Sequence, residues 1–236
     1  ATALGTERGA GVALLYARIA LSLRPELQEV RVLAGRLLDS QGQHEAAIED
    51  FRMVPRGSAI FLTAELSRAD ALLTLDRDDD AVIVLDALAG AHPRDLEVQL
   101  TLAQALSKAE RWPEAIEAYD AAMALIDPVV RQHWSIFYRR GIAHERAGQW
   151  EQAEADFKKA LELEPDQPMV LNYLGYSWVE LSRNFDEAQA MIEKAVEQKP
   201  EDGYITDSLG WVLYRIGKYE EATPHLERAV ELMPTD

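Results

Sequence analysis

Between Gly203 and Asp236 the apolar positions fall into two short runs. Ile205, Leu209, Val212, Leu213 and Ile216 recur at intervals of three and four, the stripe of a helix that buries one face. Gly217 ends that run. A second, from about Tyr219, carries Ala222, Leu226, Ala229 and Val230 along one side until Pro234, whose ring and missing N–H forbid continuation. Gly210 and Ala222 stand where the two helices would cross, and side chains that small let two backbones approach closely. The pattern predicts a helical hairpin of 34 residues.

The same pattern runs back through the chain. The alanine opening each second helix recurs at Ala13, Ala47, Ala81, Ala115, Ala153, Ala188 and Ala222, at spacings of 34, 34, 34, 38, 35 and 34. Complete units are expected at 28–61, 62–95, 96–133, 134–167, 168–202 and 203–236, with a half unit at 1–27. In the half unit a helix from Gly11 to Pro25 carries Ala13, Ala17 and Ala20 as a second helix would, and residues 1–8 are too short to supply the first. Pro55 is expected to stop the second helix of the first complete unit early, with Arg56-Gly57-Ser58 as a loose connection. The unit at 96–133 runs about four residues long through Asp127-Pro128, a point where stacking should change locally. In the unit at 168–202 the extra residue falls in the turn Ser182-Arg183-Asn184.

The hairpins resemble tetratricopeptide repeats (TPR), through Leu209-Gly210, Ala222, Leu226 and Pro234 in the last unit, Gly35, Ala47 and Phe51 in the first complete one, and Gly141, Ala153, Phe157, Ala160 and Pro165 in the fourth. The resemblance implies an all-α, right-handed superhelical solenoid of antiparallel helix pairs, a single array over 1–236. It also implies a non-catalytic scaffold or adaptor that binds a protein or peptide in a concave groove lined by the first helices, with no cofactor. Arg68 and Arg140 stand where the family usually has leucine, which puts local packing in question. Asn172-Tyr173-Leu174-Gly175-Tyr176 and Asp207-Ser208-Leu209-Gly210-Trp211 are similar to exported or lipid-anchored TPR proteins of proteobacteria, some of which tether and activate periplasmic proteases or cell-wall enzymes. A periplasmic or envelope-associated location is the expectation from that likeness.

On the groove side, the first-helix residues off the packing stripe become increasingly aromatic toward the C-terminus. Tyr138, Asn172, Tyr176, Tyr204, Asp207, Trp211, Tyr214 and Arg215 are the candidate partner-binding residues. Tyr and Trp are side chains that anchor interfaces, and burying each such ring contributes roughly 1.5–3 kcal/mol before ordering costs. The alternative is that these rings pack against the next repeat. A groove for a C-terminal carboxylate needs Lys, Arg and Asn on adjacent first helices, and Arg36 and Asn172 lie too far apart in the array to cooperate. The ends suggest a second role, homo-oligomeric self-association, because Leu14, Leu15 and Ile19 have no preceding helix and Val230, Leu232 and Met233 no following one.

Composition narrows the partners. A net charge of −17 makes nucleic acid and anionic membrane surfaces poor partners, since phosphate binding requires clustered Lys and Arg. With no cysteine there is no disulfide, thiol catalysis or cysteine-ligated zinc. No window approaches the roughly 18 uninterrupted apolar residues of a membrane span. The opening segment shows no basic stretch followed by an apolar core, and Ala1 is not a natural initiator, so a fragment of a longer protein is expected. Asp76-Arg77-Asp78-Asp79-Asp80 begins like a calcium loop but has Ala81 and Ala87 where Gly and Glu are needed, and capping of a helix N-terminus explains it better. His44, His92, His133, His144 and His225 have no zinc spacing, and Ser177 lacks the second glycine of a nucleophile elbow and falls within a helix instead of a strand-to-helix turn.

Overall fold

The computed structural model describes residues 2–233, with side chains from Gly9 onward. The described residues form α-helices and one 3-10 turn, with no strand. Contacts divide the chain into two compact units, Ala1–Asp127 and Pro128–Asp236. The first holds α1 (Thr2–Leu23), α2 (Gln28–Asp39), α3 (His44–Arg52), α4 (Phe61–Thr74), α5 (Asp78–Ala91), α6 (Leu96–Lys108) and α7 (Trp112–Met123). The second opens with the 3-10 turn Arg131–His133, followed by α8 (Trp134–Arg146), α9 (Trp150–Leu163), α10 (Pro168–Glu180), α11 (Phe185–Gln198), α12 (Gly203–Arg215) and α13 (Tyr219–Leu232). The boundary falls in the segment that carries the extra residues of the unit at 96–133. Pro234, expected to stop the last helix, lies outside the described residues. No described helix is long and apolar enough to cross a membrane.

Within each unit consecutive helices pair antiparallel, and the pairing has a simple steric basis. The small residue of the first helix receives a large one from the second. A Cβ added to Gly35 would lie 2.5 Å from the Phe51 ring, and one added to Gly141 would lie 2.7 Å from Phe157. The alanines opening the second helices, Ala47, Ala81, Ala115, Ala153, Ala188 and Ala222, are all buried. Ala13 is exposed. Helix α1 begins at Thr2 rather than near Gly11, a single helix that absorbs the residues expected to precede it.

Each hairpin turns through a left-handed residue at the same register, and the longer α10–α11 turn adds a second at Asn184, φ 48°. Gly42, Asp76, Glu110, Gly148, Ser182 and Gly217 have φ of 74°, 55°, 57°, 75°, 56° and 84°. The next residue's N–H then reaches back to close the helix, as Gln43 N to Leu38 O at 2.9 Å and Arg111 N to Leu106 O at 2.9 Å. This is a Schellman closure, which needs a left-handed residue after the helix. The aspartates after Asp76 do not cap α5: its N-cap is Arg77, which makes no side-chain cap bond, and Asp78–Asp80 lie inside the first turn. Asp80 accepts from Arg77 at 2.8 Å, while Asp76 and Asp78 bind Lys108 at 2.8 and 3.1 Å. True side-chain caps are Asp95 and Asp202, which accept from Val98 N and Ile205 N.

The two arginines at leucine positions are held by carboxylates. Arg140 grips the buried Asp156 of α9 through Nε and a terminal nitrogen at 2.8 and 2.7 Å. Arg68 reaches Glu65 at 2.9 Å, and burial raises the Glu65 carboxyl above its usual range against the pull of Arg68.

Candidate functional site

The C-terminal unit contains an open groove of about 730 Å³. Helix α10 supplies one wall through Asn172, Tyr173, Tyr176, Ser177 and Glu180, residues three or four apart and so on adjacent turns. The end of α8 and the start of α9 contribute Glu145, Arg146, Gly148 and Trp150, and α12 contributes Tyr204, Asp207 and Ser208. Tyr176 and Tyr204 are exposed, at 38% and 68%. Oδ1 of Asn172 is buried without a hydrogen-bond partner.

The groove is acidic. Glu145 accepts from the Tyr173 hydroxyl at 3.2 Å and lies 3.5 Å from Arg146. Burial, reinforced by Glu145, pushes the Tyr173 phenol up to about 12. Tyr176 is also raised, first by burial and then by the charges of Glu180 and Asp207, against the opposing pull of Arg215. Burial alone raises the Asp207 carboxyl. Among the described residues Asp207 has no hydrogen bond or ion pair.

Of the eight candidate residues, Asn172, Tyr176, Tyr204 and Asp207 line this groove. Trp211, Tyr214 and Arg215 form a separate group beside it. Trp211 stacks on Tyr214 with ring centres 5.6 Å apart and planes at 18°, and the Arg215 guanidinium lies 5.6 Å from the Trp211 ring centre. Trp211 Nε1 donates to Glu180 Oε1 at 2.6 Å, and Arg215 reaches that same oxygen at 3.3 Å. Tyr138 is half-buried in a ring cluster, with centroids 6.2 Å from Trp134 and Phe157 and 6.0 Å from Tyr173. Sequence reasoning missed Tyr173 and Trp150. The first adjoins the packing stripe, and the second opens a second helix, so position in the repeat marked neither as lining a groove.

The end residues divide as well. Leu15, Ile19 and Val230 are exposed. Leu14 instead packs into the clusters around Val32 and Ala34, because it shares a face with Ala17 and Leu21. Leu232 and Met233 fold over Gly203 of α12, where an added Cβ would meet Met233 Cγ at 2.5 Å.

Paired helices of this length, small-into-large crossings and a left-handed turn at a fixed register define a repeat solenoid of helical hairpins. Sequence models described as tetratricopeptide repeat match residues 134–167 in one case and residues 66–128 and 182–236 in another. The chain belongs to the TPR family, and its fold is the all-α TPR solenoid. It is 32% identical over 202 residues to a TPR repeat-containing protein of Pseudomonas aeruginosa, covering 85% of this chain and 33% of that one. The chain therefore spans about a third of that relative's length. Among solved structures it is similar to PilW, a type IV pilus biogenesis factor, with a TM-score of 0.74, 16% identity and coverage of 89% of this chain and 96% of PilW. It is also similar to YrrB, described as a TPR protein with an unusual peptide-binding site, with a TM-score of 0.57, 18% identity and coverage of 81% and 93%. At these identities the likeness establishes fold. TPR arrays are in general protein-binding adaptors without catalytic function.

Proposed function

We propose that this chain is a non-catalytic adaptor that holds a protein or peptide segment in the groove between α8, α10 and α12. The observation that carries the reading is Tyr176 and Tyr204 standing exposed on two successive first helices that line the groove. Large rings left in water are stabilised by a covering partner. YrrB, similar in fold, is described as having a peptide-binding site. An envelope location belongs to the same proposal, on the resemblance of α10 and α12 to exported TPR proteins, and cell fractionation with the full-length protein tests it.

The groove reading is tested by Tyr176→Ala combined with Tyr204→Ala. The double variant should lose partner capture from extracts of the producing cells while its circular dichroism and melting temperature stay near wild type. Undiminished capture would place binding elsewhere.

One observation favours self-association as a second reading. Val12, Leu15, Tyr16, Ile19 and Leu23 of α1 are all exposed, at 54%, 59%, 67%, 46% and 77%. If this face joins copies, the mass in solution rises with concentration and Leu15→Glu with Ile19→Glu abolishes the rise. A concentration-independent monomer refutes it.

A further inference from the structure

The charge of the groove indicates what kind of segment it selects. Glu145, Glu180 and Asp207 line it or its rim, and the guanidiniums near them are already engaged: Arg146 with Glu145, and Arg215 with Glu180 and Ser182. Both donors to Glu180 use Oε1, so Oε2 has no partner among the described residues. Asp207 has none on either oxygen. Tyr176, Tyr204, Glu180 and Asp207 line one opening, in which Asp207 is unpaired and Glu180, already paired with Arg215, keeps one oxygen free. Asp207 is an exposed carboxylate without a counter-ion beside exposed ring faces, and both attract a cation.

Resting on the groove reading, we infer that the segment bound there carries a lysine or arginine whose cationic head sits among Tyr176, Tyr204, Asp207 and the free oxygen of Glu180. An acidic segment is disfavoured by three carboxylates in one groove, and a purely apolar one would cover the exposed Asp207 without compensating its charge. The net charge of −17 on the chain adds long-range attraction for a basic partner.

The test is to pan a phage library of random dodecapeptides on the immobilised full chain, with Asp207→Asn and Tyr176→Ala/Tyr204→Ala in parallel. Peptides recovered by the wild type should share a lysine or arginine at one position. A synthetic consensus peptide should bind, by fluorescence anisotropy, about ten-fold or more weakly to Asp207→Asn, and should lose a similar factor when its basic residue becomes norleucine. Peptides that need Tyr176 and Tyr204 but show no basic position, or bind Asp207→Asn equally well, overturn the charge selection and leave the groove reading standing. Selection of acidic residues overturns it too. Recovery of no peptide that depends on the two tyrosines overturns both.

Discussion

Removing the carboxylate from the Arg140–Asp156 pair should be costly, and removing both charges should be cheap. The Asp156 side chain is 7% exposed and that of Arg140 19%, with two hydrogen bonds between them and His144 Nε2 3.8 Å from the carboxylate. Asp156→Leu leaves a guanidinium in a site that water reaches poorly. Breaking such a pair from one side costs about 3–5 kcal/mol, and the partial exposure of Arg140 points to about 3. Arg140→Leu with Asp156→Leu restores leucine where the repeat usually has it, and should lie within about 1 kcal/mol of wild type. The coupling energy from the cycle should therefore exceed about 2 kcal/mol. Urea unfolding followed by tryptophan fluorescence reads the right part of the chain, since Trp134, Trp150, Trp178 and Trp211 lie in the C-terminal unit and only Trp112 in the other. A shifted midpoint at constant slope is the expected form of the change. If Asp156→Leu costs under about 1 kcal/mol, or the double variant is no better than the single, the pair does not hold this hairpin together.

Three further outcomes follow from the same structure. Gly35→Ala drives a methyl to 2.5 Å from the fully buried Phe51 ring, and should cost about 1–3 kcal/mol in thermal or urea unfolding; wild-type stability would mean the helices separate easily. Glu110→Gly relieves a left-handed residue at φ 57° and should raise stability by about 1 kcal/mol, less the added freedom of the unfolded chain; a loss would show that the turn tolerates glutamate without strain. The Tyr173 phenol holds its proton more tightly folded, at about 12, than unfolded, near 10, so its contribution is complete below pH 10 and disappears as pH climbs toward 12. Tyr173→Phe should flatten stability across that window, and an unchanged slope, with tyrosinate absorbance rising near pH 10 as in a free phenol, would contradict the burial.

The hairpins were legible because their signals are local: apolar spacing, the recurring alanine and the small residue at each crossing. The turn was half legible. Gly42, Gly148 and Gly217 announce a left-handed residue, whereas Asp76, Glu110 and Ser182 adopt it only because the closing hydrogen bond enforces it. The ion pair of Arg140 was not legible, since its partner lies on the other helix of the hairpin and looks like one of many surface acids. In the groove, position in the repeat identified Asn172, Tyr176, Tyr204 and Asp207, but it grouped them with Tyr138, which the ring cluster draws inward, and with Trp211, whose indole is claimed by Glu180. Such choices depend on neighbours one repeat away. The same holds for Leu14 and Met233, which periodicity left uncovered and the structure folds onto their own unit.

Glu180, which lines the groove, offers one oxygen to both Trp211 and Arg215 on the neighbouring hairpin. Tension that drew α12 away from α10 would strip those donors off and carry Tyr204 and Asp207 out of reach in the same movement. On the proposed groove reading, grip and cohesion between the last two hairpins fail together: a stretched array would release a bound segment, and a loaded one would resist being stretched.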